Sequence, residues 1–225
     1  MTAKKGLMKA AGLMIAAFLM GAFMITSCKS TGGQPYAVQK DNAWSRNACG
    51  AFSLAYYLAE TGQIPGTKVE VTARKIYSKI KFDPAAGFGD YSDPFKIVRE
   101  AANYASSVRF GMNLSKPQTD GEQLMILLAR GLGADTSQFT DITDIASALG
   151  KNEYVIEIVV PRPQVNLSKP MENVLHYVLT YWKDDTLYTL DPGRGKEEPR
   201  QDFISGKTAS WNFCNSGIFI TPYPY

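Results

Sequence analysis

Cys49, His176 and Asp191 are the residues whose types and spacing could carry covalent chemistry. Cys49 stands between Asn47-Ala48 and Gly50, at the head of a stretch in which Phe52, Ala55, Tyr56 and Ala59 recur at helical spacing. A sulfur in the first turn of such a helix meets unpaired N–H groups and the positive end of the helix dipole, a setting that lowers thiol pKa and yields a reactive thiolate. Gly50 would leave room for a substrate to approach it closely. Taken alone, a cysteine among small residues reads first as a small buried one.

His176 is the one histidine of the chain and sits in the apolar run Val174–Trp182. A lone histidine on such a strand is by default a core or edge residue. The run that follows, Thr186–Leu190, changes that reading, because the two segments around Lys183-Asp184-Asp185 form a β-hairpin. A two-residue loop at Lys183-Asp184 places Asp191 opposite His176. A loop at Asp184-Asp185 makes Asp191 the diagonal neighbour on the same face, and a three-residue loop sends it to the other face. In the two favourable registers the Cβ atoms lie roughly 4.5–8 Å apart. A carboxylate at that distance can fix the imidazole tautomer and stabilise the imidazolium.

The elements that must position these groups divide into a helical half and a strand-rich half. Asn47 is a candidate N-cap for a helix over Ala48–Ala59 closed by Gly62. Further helices are expected over Val71–Ile80 and over Phe95–Ala105, the latter opened by Ser92-Asp93-Pro94. Two more are expected over Glu122–Arg130, capped by Asp120, and over Thr140–Leu149. Strands follow at Tyr154–Val160, Val174–Trp182, Thr186–Leu190 and Ile218–Ile220. Helices first and an antiparallel sheet second make an α+β fold, one domain of two lobes.

Composition bounds the function. With 225 residues, 45% apolar and 20% charged, the chain is an ordinary folded protein. Its formal charge of +3 comes entirely from Lys4, Lys5 and Lys9, so the chain from Cys28 onward is neutral. A neutral body offers no general field for a phosphate backbone, and no nucleic-acid partner is expected. One histidine and three cysteines do not make a Cys/His zinc site, and Asp83 and Asp90 lack the spaced oxygens of a calcium loop. No cofactor and no metal are expected.

The first nine residues carry the three lysines, residues 10–25 are an unbroken apolar run, and Thr26-Ser27-Cys28 follow. This is the layout of a secretory signal. A plain cleaved signal and a short transmembrane anchor are the other readings of the same run. Ile25-Thr26-Ser27-Cys28 resembles the bacterial lipobox, which implies removal of residues 1–27 and a lipid on Cys28. Residues 28–35 then read as a polar tether and 36–225 as the folded domain, outside the cytoplasm and lipid-anchored to a bacterial membrane in the cell envelope.

Asn47-Ala48-Cys49-Gly50 at a helix start resembles the nucleophile motif of papain-like cysteine peptidases. His176-Tyr177-Val178-Leu179, followed 15 positions after the histidine by Asp191-Pro192, resembles the bacteriocin-processing (double-glycine leader) peptidase branch. Ala146–Val160, a helix end running into an apolar strand, fits the same layout. The Cys–His separation of 127 suits this superfamily better than transglutaminase-like folds, which share the triad order with a shorter gap. The resemblance covers most of residues 36–222 and implies a papain-like two-lobed fold. It also implies a thiol hydrolase that cleaves peptide or isopeptide bonds of a peptide or protein substrate through Cys49, His176 and Asp191. The family's oxyanion-hole glutamine lies six residues before the cysteine, where this chain has Ala43. Gln39, ten before, and Asn42, seven before, are the candidates to replace it, with Gln39 preferred. The same fold without turnover would make a peptide-binding surface lipoprotein.

Three further features stand apart from this triad. Cys214 is read as structural, although a disulfide with Cys49 would silence the enzyme. Trp44, Tyr56, Tyr57, Trp182 and Trp211 could line a groove but read first as core. Asp83–Tyr91 reads as a connector.

Overall fold

In the computed structural model the described residues are 36–40, 43–83, 89–117, 119–161, 165–205 and 211–224. Cys28, Asn42 and residues 84–88 of the expected connector lie outside them. The N-terminal half is helical: α1 (Cys49–Glu60), α2 (Val69–Ile80) and α3 (Pro94–Ala101). It continues with β1 (Ser107–Met112), α4 (Asp120–Gly131), β2 (Thr140–Asp141) and the short α5 (Ile145–Ala148). The second half comprises β3 (Tyr154–Pro161), β4 (His176–Lys183), β5 (Thr186–Asp191), β6 (Lys196–Pro199), α6 (Arg200–Ser205) and β7 (Trp211–Thr221).

Among the described residues the strands form one seven-stranded sheet in the order β2-β1-β7-β3-β4-β5-β6. The β1–β2 pair is parallel and all other pairs are antiparallel. This is the expected α+β architecture. Helix α1 is buried along nearly its whole length, from Cys49 to Leu58, and packs on the sheet at β4. Phe52, Leu54, Tyr56 and Tyr57 are fully buried in the main core with Ile156, Ile158, Leu179 and Ile218.

Several expected boundaries shift for identifiable reasons. The N-cap of α1 is Ala48, not Asn47, and no side chain caps the helix. A turn through residues 43–47 delivers the chain instead, with the Ala48 N–H donating to Ser45 O at 3.0 Å. The far end is as expected: Gly62, at φ 71°, closes a Schellman motif in which Gly62 N–H bonds Ala59 O and Gln63 N–H bonds Leu58 O. Asp93 caps α3, accepting from the N–H groups of Phe95 and Lys96, but the helix stops at Ala101 rather than Ala105. There the chain tightens into turns, with the N–H groups of Asn103 and Tyr104 bonded to Glu100 O and Ala101 O.

Helix α4 is capped by Thr119, not Asp120, because Thr119 and Glu122 form a reciprocal capping box. The expected helix over Thr140–Leu149 is instead the edge strand β2 followed by four helical residues capped by Asp144. Its first two residues are drawn into parallel pairing with Gly111 and Met112.

The hairpin between β4 and β5 turns on Asp184-Asp185, both at positive φ, and pairs Lys183 with Thr186 and Leu179 with Leu190. A two-residue turn with both central residues left-handed matches the twist of the strands it joins. Of the two favourable registers, this is the one that makes Asp191 the diagonal neighbour of His176.

Candidate active site

Helix α1 and strand β4 bring the sulfur and the imidazole together through neighbouring side chains. Ser53, one turn beyond Cys49, donates its hydroxyl to Tyr177 O at 3.1 Å, and Tyr177 is adjacent to His176. The Tyr177 hydroxyl in turn donates to Ser92 O, while Ser92 Oγ donates to Asn47 O, both at 3.1 Å. These bonds tie the turn before Cys49, the start of α3 and the head of β4 into one frame.

Within that frame His176 Nε2 lies 2.7 Å from Asp191 Oδ1. The Cys49 side chain also acts on this ring, as one of the groups that raise its pKa. Burial by itself pushes the His176 pKa down. The bonds to Asp191 and Cys49 and the charges of both outweigh it and raise the value to about 9. Trp211 stacks on the ring, centroids 4.7 Å apart, and helps leave the imidazole side chain only 12% exposed.

Asp191 is 3% exposed and fully engaged. Its Oδ1 also accepts from Gly193 N–H at 2.9 Å, and Oδ2 accepts from Arg194 Nε at 2.8 Å. Burial would raise this carboxyl, but the bond and charge of His176, together with Arg194 and the Gly193 N–H, hold it down at about 2. Arg194 also pairs with Glu198 and lies over the Phe203 ring. The group is therefore an ionised acid holding a charged imidazole.

The first turn of α1 has no capping side chain and no acidic residue, so the Cys49 N–H is not claimed by a cap. Gln39 enters the same neighbourhood through its backbone, donating its N–H to Pro192 O at 2.9 Å. Its side-chain amide donates to Ser45 O at 2.6 Å and Arg46 O at 2.7 Å. Those two bonds engage both amide hydrogens in the turn that leads to Cys49. Gly50 does not open the site as expected. A Cβ there would stand 2.6 Å from Ile97 Cδ1 and 2.9 Å from Ser92 Cβ, so this glycine lets α1 pack against α3.

A cavity of about 400 Å³ carries Cys49 in its wall, together with Tyr91, Phe95, Met112, Leu128 and Tyr177. Among the described residues, no group of three His, Cys, Asp or Glu side chains is placed to hold a metal ion. Cys214 is a free, fully buried thiol, and Cys49 is likewise free. Burial, with the Glu157 and Glu122 charges, pushes the Cys214 pKa upward, so it stays protonated. Of the aromatic residues, Tyr56 and Tyr57 belong to the core, Trp44 stacks on Phe52 and Trp211 serves the imidazole.

Arg194 is a participant that sequence reasoning missed, and Trp211, read there as core or groove lining, instead stacks on the imidazole. Arg194 had a signal, since Pro192-Gly193-Arg194-Gly195 is a turn that folds back on Asp191, with Gly195 N–H bonded to Asp191 O. Trp211 had none. Among the described residues no helix is long and apolar enough to cross a membrane. Compared with family models, with curated proteins and with solved structures, the chain finds no match in any of the three.

Proposed function

We propose that the protein is a thiol hydrolase of papain-like design, held to a bacterial membrane by a lipid on Cys28 and cleaving peptide or isopeptide bonds outside the cytoplasm. The observation that carries this reading is the His176 Nε2–Asp191 Oδ1 pair at 2.7 Å, on an imidazole whose pKa Cys49 helps to raise. The Cys49 sulfur attacks the amide carbonyl while His176 holds the thiol proton. The C–N bond breaks as His176 passes that proton to the leaving amine. Asp191 keeps the ring oriented and favours its charged form, and the Cys49 N–H donates to the oxyanion. Water then attacks the thioester, giving the acid and restoring the thiol.

A second reading is a peptide-binding module without turnover. It is favoured by one observation, the engagement of both Gln39 amide hydrogens by the carbonyls of Ser45 and Arg46. Incubating the full chain and its Cys49→Ala variant with unfolded protein and with purified cell wall decides between the two. Cleavage of either material that vanishes in the variant supports the hydrolase. Binding of peptide by both proteins, with no cleavage by either, supports the module.

A further inference from the structure

We propose that the cavity beside Cys49 binds a straight hydrocarbon chain, so that the thiol also accepts substrates whose acyl half is a medium-length fatty acyl group, a class beyond the peptide and isopeptide bonds above. For its chemistry the proposal rests on the thiol reading of Cys49. The walls are the first ground. Phe95, Phe110 and Phe139 pack with ring centroids 5.0–6.0 Å apart and line the cavity, joined by Met112, Met125 and Leu128. Methionines adapt to irregular apolar ligands, and among the described residues no Lys or Arg is present in the lining to receive a carboxylate or phosphate.

The polar groups in the wall are the second ground, because they already serve the protein. Ser92 Oγ donates to Asn47 O, the Tyr177 hydroxyl donates to Ser92 O, Asn173 Nδ2 donates to the carbonyls of Asn166, Lys169 and Pro170, and the exposed Glu172 carboxylate pairs with Lys169 Nζ at 2.9 Å. A ligand in this space gains by apolar contact rather than by hydrogen bonds. Size is the third ground. An apolar cavity of about 150 Å³ takes one benzene, whereas this one measures about 400 Å³. A single phenylalanine side chain underfills it, and an extended acyl chain does not.

With an acyl ester the step balances in the same way as with an amide. The Cys49 S–C bond forms, the C–O bond breaks, and the alcohol leaves with the proton that His176 took from the thiol. Water then releases the fatty acid and restores the thiol.

The test uses 4-nitrophenyl esters of acetic, butyric, octanoic and decanoic acids with the full chain. Burying one methylene multiplies binding about fourfold, so kcat/KM is expected to rise at least about 100-fold from acetate to octanoate. Leu128→Trp, which fills the cavity, should lower the decanoate-to-acetate ratio of kcat/KM by at least about tenfold. Binding is measured separately on Cys49→Ala, where hexanol, octanol and decanol should displace 1-aminoanthracene with affinity rising along the series. A flat ester series, or alcohols that fail to displace the dye, would overturn the proposal. Graded displacement combined with hydrolysis that survives Cys49→Ala would uphold the pocket and overturn the thiol reading instead.

Discussion

Arg194 donates through Nε to Oδ2 of Asp191 at 2.8 Å, the carboxylate oxygen that His176 does not use. The acid of the candidate triad is thus pinned from both sides, by the imidazole it orients and by a guanidinium from the turn just after it.

Removing that guanidinium should loosen the acid without deleting it. Arg194→Ala is expected to lower kcat about tenfold with little change in KM, the mark of a group that positions rather than binds. Asp191 titrates at about 2 instead of its ordinary 3.8, so its contribution to stability is complete above 3.8 and is lost as pH falls through about 2. In Arg194→Ala the folded-state value moves back toward 3.8, so this contribution shrinks and its loss is complete at a higher pH, read as a smaller acid-side fall in Tm.

Asp191→Asn should act on the opposite limb. His176 is raised to about 9 from an ordinary 6.5, so its contribution to stability is full below 6.5 and disappears as pH rises through about 9. Without the Asp191 charge, burial pushes the imidazole back down. The alkaline limb of the pH–rate profile is expected to fall by at least about one pH unit. An unmoved limb would mean that another group sets it.

Gln39→Glu separates two roles. Loss of a donor to the reacting oxygen costs about 10²–10³ in kcat. Loss of a turn anchor instead lowers Tm and changes kcat by about tenfold or less. Because both amide hydrogens go to Ser45 O and Arg46 O, the second outcome is expected, with the Cys49 N–H left as the principal oxyanion donor.

Gly50→Ala probes the packing that sets the sulfur in place. Its Cβ would stand 2.6 Å from Ile97 Cδ1, and overpacking of this kind costs typically about 1–3 kcal/mol. A lower Tm is expected, and a variant as stable as the parent would show that α3 can retreat without cost.

The parts of this site legible in the sequence are those governed by local rules. The spacing around Phe52 and Tyr56 marks α1, and a tight turn at Asp184-Asp185 carries Asp191 to the face of His176. Where distant pairing wins over local preference, sequence reading fails. Thr140-Asp141 looks helical but joins the sheet beside Gly111 and Met112. Thr119 takes the cap of α4 because Glu122 answers it. Gly50 looks like an opening until Ile97, 47 residues away, is seen to fill the space. Trp211 reaches His176 only because β7 runs beside β3, a neighbourhood that no local pattern announces.

Alkylation of Cys49 by iodoacetamide at neutral pH, with Cys214 as the internal reference, reads the thiolate itself. In the full chain Cys49 should react at least about tenfold faster than Cys214, and His176→Ala should remove most of that advantage. Equal slow labelling of both thiols, unchanged by His176→Ala, would contradict an imidazole-activated sulfur at the head of α1.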